Sequence, residues 1–218
     1  MMMLRAKDLA VTEAQEGNKM KKILLIITLI LTTLFCGCAK EEVANENLNE
    51  YPFEIITSKD VIEADIILKN GKTISLELYP EIAPITVSNF VYLAKDKYYD
   101  GLIFHRVIEG FMIQGGCPNG IGNGGPNYRI KGEFLANGVE NNLEHTRGVI
   151  SMARSKQNDS AGSQFFIMHK DAPHLDGQYA AFGRVVDGID AVDEIATTPT
   201  DQNDKPLTDV VIETIVIK

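Results

Sequence analysis

With 218 residues the chain is long enough for one ordinary domain and too short for two unless both are small. Lys and Arg total 21 against 30 Asp and Glu, a formal charge of −9, and no Lys/Arg-rich run makes a local exception, which sets nucleic acid aside as a partner. Hydrophobic residues at 44% and charged residues at 23% exclude a disordered chain and a multi-span membrane protein.

Met20, Lys21 and Lys22 precede thirteen residues, Ile23 to Phe35, built from Ile, Leu, Thr and one Phe, and the segment closes on Cys36, Gly37, Cys38 and Ala39. A short positive start, an apolar centre and a small-residue exit is the build of a secretory signal. Through Ala39 the uncharged run is seventeen residues. That is the short edge of the ~17–25 that a bilayer crossing needs, and Thr28, Thr32 and Thr33 weaken it. A short uncleaved anchor is the alternative.

The ending resembles a bacterial lipoprotein signal, in which a small residue precedes the cysteine that is acylated and becomes the mature N-terminus. That cysteine would be Cys38, after Gly37; Phe35 and Cys36 stand where such signals usually carry Leu and a small residue. Residues 1–19 are polar and unlike the start of a signal, so Met20 is a candidate start of translation. The expected organisation is a signal over 1–37, a lipid-anchored flexible tether over 38–57 and one domain over 58–218, held on the extracytoplasmic face of the cell membrane. Loss of Met1 to Gly37 leaves 16 basic residues against 27 acidic, a charge of −11. Of the remaining cysteines, acylated Cys38 leaves Cys117 alone, so no intramolecular disulfide is expected.

From about Val61 the pattern changes to short strands. Ala64, Ile66 and Leu68 alternate, Asn70-Gly71 reads as a type I′ turn, and Ile74, Leu76 and Leu78 alternate again, predicting a hairpin. Pro84 suits a first helical turn, and Val87, Phe90, Val91 and Ala94 place one apolar stripe on a helix ending near Lys97. A second helix is predicted from Ile189 to Ala196, then a strand from Val210 to Ile217. Between the helices lie apolar runs at Ile103 to Val107, Phe111 to Gln114, Val149 to Ala153, Phe165 to His169 and Ala180 to Val185. Two helices are too few for repeated βαβ units, so the spacing points to an antiparallel sandwich or barrel.

Several chemistries fail on context. Gly120 to Gly125 matches G-x-G-x-x-G, but Pro126, Asn127 and Tyr128 follow instead of a helix that could hold a pyrophosphate, so a surface loop is expected. Ser163 lacks the G-x-S-x-G elbow of a hydrolase. His105, His145, His169 and His174 have no metal-ligand spacing and read as packed or solvated side chains. What remains is Arg106, set among Phe104, His105, Val107 and Ile108. Alternation puts Phe104 and Arg106 on one strand face, an odd place for a permanent cation unless it binds something. A salt bridge with Glu109 is the bland alternative.

Phe104 to Gly116 (FHRVIEGFMIQGG), Ser151-Met152-Ala153, Gly162 to Ile167 (GSQFFI), and Leu175-Asp176-Gly177 followed by Phe182-Gly183-Arg184-Val185 resemble, in order, the successive signatures of cyclophilins, the peptidyl-prolyl cis-trans isomerases. The resemblance spans roughly Ala64 to Lys218. It implies a mainly β fold, a closed eight-stranded antiparallel barrel capped by two α-helices, acting as a monomer on proline-containing polypeptides. By the same resemblance Arg106 is the catalytic arginine, with Phe111 and Gln114 beside it. Phe111, Met112, Phe166 and Leu175 form an apolar cup for the proline ring, and Gln114, Ala153, Arg154 and Gln164 line the peptide groove. Two positions depart. His174 stands where many members have Trp, which implies weak cyclosporin binding, and Tyr179 stands where they have His. Arg154 replaces the usual Asn and implies a shifted preference for residues flanking proline. Bond rotation makes and breaks no covalent bond, so neither metal nor cofactor is expected. A proline-peptide binding module with incidental turnover is the competing class.

Overall fold

The computed structural model describes residues 51–218. The expected signal over 1–37, Cys38 and the tether as far as residue 50 lie outside the described residues.

Strands β1 (Ile62–Leu68) and β2 (Thr73–Leu78) pair antiparallel, and Ala64, Ile66, Leu68, Ile74, Leu76 and Leu78 are all buried. Apolar side chains at every second position are what hold this hairpin over a core. Its turn differs from the expected type I′. Gly71 has φ +85°, whereas Asn70 does not reach positive φ. Leu68 N donates to Lys72 O (2.8 Å) and Gly71 N to Leu68 O (2.9 Å), so Lys69, Asn70 and Gly71 form a three-residue loop, a type I turn closed by a left-handed glycine.

Helix α1 (Pro84–Lys95) opens on its proline. No local side chain caps it. Instead buried Glu133 accepts from Ile85 N (3.0 Å) through Oε1 and from Thr86 N (2.7 Å) and Thr86 Oγ1 (2.6 Å) through Oε2. A carboxylate there satisfies donors that the first turn leaves unpaired and meets the positive end of the helix dipole. Burial pushes the Glu133 carboxyl up in pKa, and these hydrogen bonds oppose the rise. The helix stops at Lys95 because Lys97 turns left-handed (φ +58°) and the amides of Lys97 and Tyr98 fold back onto the carbonyls of Ala94 and Leu93. Its inner face presents Phe90, whose ring centroid lies 5.3 Å from Tyr99, 5.5 Å from Phe165 and 5.4 Å from Phe182.

Strands β3 (Arg106–Ile108), β4 (Met112–Gly115), β5 (Val149–Met152), β6 (Phe165–Met168), β7 (Ala181–Asp187) and β8 (Ile212–Ile217), with helix α2 (Ile189–Ala196) before β8, complete the domain. The sheet runs β3-β4-β6-β5-β7-β2-β1-β8 with every pair antiparallel. It curls until its edges meet: Ile103 bridges Val211, Phe104 N donates to Val210 O (3.0 Å) and Ile212 N to Leu102 O (2.8 Å). Curling an apolar face inward and joining the edges leaves little unpaired backbone. The eight antiparallel strands and two helices are those the resemblance implies.

The start of the domain moves. Residues 51–57, expected as tether, pack on the barrel: Tyr51 stacks on Phe53 at 5.0 Å, Phe53 meets Tyr92 at 5.6 Å and Tyr128 at 6.0 Å, and Ile56 N donates to Ser88 Oγ (2.7 Å). These aromatic and backbone contacts give the segment a fixed seat, so it belongs to the domain.

Candidate active site

Register across β3, β4, β6 and β5 sorts the side chains. One cross-strand row is Val107, Ile113, Ile167 and Ile150, all in the barrel core. The adjacent row is Arg106, Gln114, Phe166 and Ser151. With a side-chain period of two this second row faces the opposite side. On β6 the switch falls between neighbours, Phe165 entering the aromatic core and Phe166 leaving it.

On that outer face Met112, Phe166 and Leu175 belong to a second, smaller apolar cluster, with Phe111, Ala153 and Tyr179 packed against it. The four side chains expected to form the proline cup, drawn from three stretches of sequence, are therefore brought together. Phe111 is half-buried and stacks on His174 at 5.8 Å, while Tyr179 meets Phe166 edge-on at 5.8 Å. Tyr179 also anchors Arg154, whose guanidinium lies 4.7 Å from its ring and 4.9 Å from that of Phe134. Arg154 Nε and Nη2 donate to Gln178 O at 3.0 and 2.9 Å. The arginine is thus a clamp on the groove wall, with its charge held in place by two rings and a carbonyl.

Gln114 Nε2 donates to Gln164 Oε1 (3.0 Å), and Gln164 Nε2 donates to the carbonyls of Gly122 (3.0 Å) and Gly124 (2.8 Å). The Gly120 to Gly125 run is a loop, as its context requires, and this glutamine chain pins it beside the groove. Gly116 begins the approach at φ +79°, and a Cβ there would sit 2.4 Å from Ser163 O, so a larger residue would push the two segments apart. A cavity of about 340 Å³ opens here, lined by Gln114, Ala153, Arg154 and Gln164 and extending to Arg129. It lies beside the apolar cup, since none of Arg106, Phe111, Met112, Phe166 or Leu175 lines it.

Arg106 departs from expectation in two ways. Phe104 is fully buried in the core whereas the Arg106 side chain is 44% exposed. Ladder pairing begins only at Arg106, with Phe104 still bonded to Val210, so simple alternation does not run through both. The ion pair is with Asp204, Nε to Oδ2 at 3.3 Å, and not with Glu109. Local sequence holds no signal for a partner 98 positions away.

A buried polar relay also escaped the sequence. His145 Nδ1 lies 2.9 Å from Asp176 Oδ1 and its Nε2 3.0 Å from Ser151 Oγ, and the ring stacks on Phe166 at 6.0 Å. Both His145 (1% exposed) and Ser151 (0%) are closed to solvent, so this Ser-His-Asp order supports the floor of the cup and offers no nucleophile. Burial pushes the His145 imidazole down in pKa, against the pull of Asp176, and burial wins. His105 is likewise buried and lowered by burial, and neither of its ring nitrogens has a hydrogen-bond partner among the described residues. Ser163 is structural too, donating to Gly116 O at 2.7 Å.

A guanidinium and a glutamine thus share one cross-strand row with Phe166, beside an apolar cup. The family model for cyclophilin-type peptidyl-prolyl cis-trans isomerases matches residues 64–217. The chain belongs to the cyclophilin-type peptidyl-prolyl cis-trans isomerases. Among curated cyclophilin relatives it is 51% identical to peptidyl-prolyl cis-trans isomerase B of Bacillus subtilis over 57% of this chain and 83% of the relative. It is 50% identical to a peptidyl-prolyl cis-trans isomerase of Helicobacter pylori over 59% of this chain and 77% of the relative. A crystal structure of a Cryptosporidium parvum cyclophilin-type isomerase superposes with a TM-score of 0.67 at 34% identity, covering 73% of this chain and 98% of the other. The same parasite cyclophilin in the presence of the dipeptide Ala-Pro gives a TM-score of 0.66 at 35% identity, over 72% of this chain and 98% of the other. The packed residues 51–57 lie outside the cyclophilin match.

Proposed function

We propose that the site turns X–Pro bonds without covalent chemistry, with Arg106 as the group that meets the twisted amide. The amide barrier is ~18–20 kcal/mol because rotation breaks resonance, and uncatalysed exchange takes roughly tens to hundreds of seconds. In the twisted state the prolyl nitrogen regains a lone pair, and a guanidinium N–H donates to it or to the turning carbonyl more strongly than to either planar isomer. Phe111, Met112, Phe166 and Leu175 hold the ring, and Gln114 with the Ala153 and Gln164 segment holds the backbone on one side. A 10⁵-fold acceleration requires about 7 kcal/mol, within reach of one preorganised charge-assisted bond plus immobilisation.

The single observation that carries this reading is the row Arg106–Gln114–Phe166, a cation, an amide and an aromatic ring on adjacent strands of one face. A pure binding module would not need the arginine. A protease-coupled assay with a proline peptide, run on the wild type and Arg106→Ala, separates the two: an enzyme loses turnover in the variant, and a binding module with incidental turnover does not.

The clients in this reading are secreted or cell-envelope polypeptides, and the protein works as a monomer tethered by acylated Cys38 on the extracytoplasmic face of the membrane. The apolar run ending at Gly37-Cys38 supports the location, and the completeness of the groove within one chain supports the monomer. Incorporation of labelled palmitate into the wild type and its loss in Cys38→Ser tests the anchor. Equal labelling of both would refute it.

A further inference from the structure

We infer that Asp204 is a positioning residue for the reaction, setting the orientation of Arg106 from the loop between α2 and β8. This rests on the reading of Arg106 as the guanidinium that meets the twisted amide. Asp204 Oδ2 takes the Nε–H of Arg106 at 3.3 Å, and Nη1 and Nη2 make no hydrogen bond to the described residues. Holding Nε fixes the plane of the guanidinium while leaving the terminal N–H groups to face a substrate.

The loop is organised for this independently of the arginine. Thr200 bridges Pro206, and Asp201 N donates to Lys205 O (2.8 Å). The carboxylate Oδ1 of Asp201 accepts from Asn203 N (2.8 Å) and Lys205 N (3.0 Å). At the tip, Asp204 O accepts from Val107 N (2.7 Å), which stitches the residue to β3 beside Arg106.

Asp204 has φ +63°, one of two non-glycine residues with positive φ among the described residues. Aspartate is one of the few non-glycine residues that enters this region readily, so the loop can present a carboxylate at its tip with little strain. Stability is a poor explanation, because the partners are 44% and 42% exposed and an ion pair so open to water contributes little to folding. The carboxylate also offsets part of the charge of Arg106. Orientation outweighs that loss if a misplaced donor costs more than a weakened one.

The test is steady-state isomerisation by the purified protein. Asp204→Ala should lower kcat about ten-fold with KM changed less than two-fold, as expected for a displaced transition-state donor. Asp204→Gly, which relieves the backbone, should be as slow. Asp204→Asn keeps an acceptor for Nε–H and tolerates left-handed backbone, so it should recover most of the rate. In an Arg106→Ala background Asp204→Ala should change nothing further, and the Nε–Hε proton of Arg106 should exchange faster in Asp204→Ala by NMR. Wild-type kcat in Asp204→Ala, full activity in Asp204→Gly, or an equal loss with and without Arg106 would each overturn the inference. If Arg106→Ala itself is fully active, the reading of Arg106 falls and this inference with it. If Arg106→Ala is slow and Asp204→Ala normal, only the role of Asp204 falls.

Discussion

Phe165 and Phe166 are neighbours in sequence and face opposite sides of β6, one built into the barrel and the other into the outer apolar cup. Aromatic rings on the two sides therefore have separable effects. Phe90, fully buried against Phe165, should cost ~3–5 kcal/mol of stability when changed to alanine. Phe111→Ala, at a half-buried edge of the cup, should fold with little change and lose both peptide affinity and turnover. Chemical denaturation beside a proline-peptide assay checks both, and a Phe111→Ala enzyme of normal rate would remove that ring from the site.

The cavity beside the cup contains Arg129 and Arg154 among its lining residues and no carboxylate. Two fixed cations without a counter-charge favour an anionic neighbour. Peptides with Glu near the proline should be turned over with higher kcat/KM than their Lys counterparts, and the difference should shrink as salt is raised. Equal rates for the two peptides at low salt would count against this.

His174 stacks on Phe111 but lacks the area and the donor of the indole found at this place in many cyclophilins. Cyclosporin should inhibit weakly, and His174→Trp should tighten it by at least about ten-fold, the effect of one added hydrogen bond and buried ring surface. Titration calorimetry on both proteins decides it; equal affinities would assign the weakness elsewhere.

His105 and His145, both pushed below the ordinary histidine value of 6.5 by burial, contribute one part of the pH dependence of stability. A lowered folded pKa means that the unfolded chain binds more protons between that value and 6.5, so stability rises with pH there. It should be fully present above 6.5 and fall as pH drops through the lower folded values. His145→Gln should be less stable throughout but show a shallower fall in acid, measured as denaturation midpoint against pH. An unchanged slope would place the acid sensitivity in other groups.

The strands and helices were legible because each carries its own period, two for β1 and β2, with apolar stripes for α1 and α2. The cup residues were found through family motifs; periodicity alone gave Phe111, Phe165 and Phe166 as apolar without saying which side each faced. The turn at Asn70-Gly71 reads as two residues long in the sequence and is three in the fold, because both hairpin types place glycine at a left-handed position. Tyr51 and Phe53 sit next to a polar stretch, and their seat against Tyr92 and Tyr128 is a long-range packing fact. The same holds for Asp204 and His145, whose partners arrive only when the barrel closes.

The most direct test of the central claim is NMR exchange spectroscopy of a proline peptide at equilibrium with the enzyme, which separates binding from rotation. With Arg106→Ala the peptide should still occupy the cup formed by Phe111, Met112, Phe166 and Leu175, while catalysed cis–trans exchange falls by at least ~10²-fold, the loss expected for one preorganised donor. Exchange at the wild-type rate in a folded Arg106→Ala protein would contradict it.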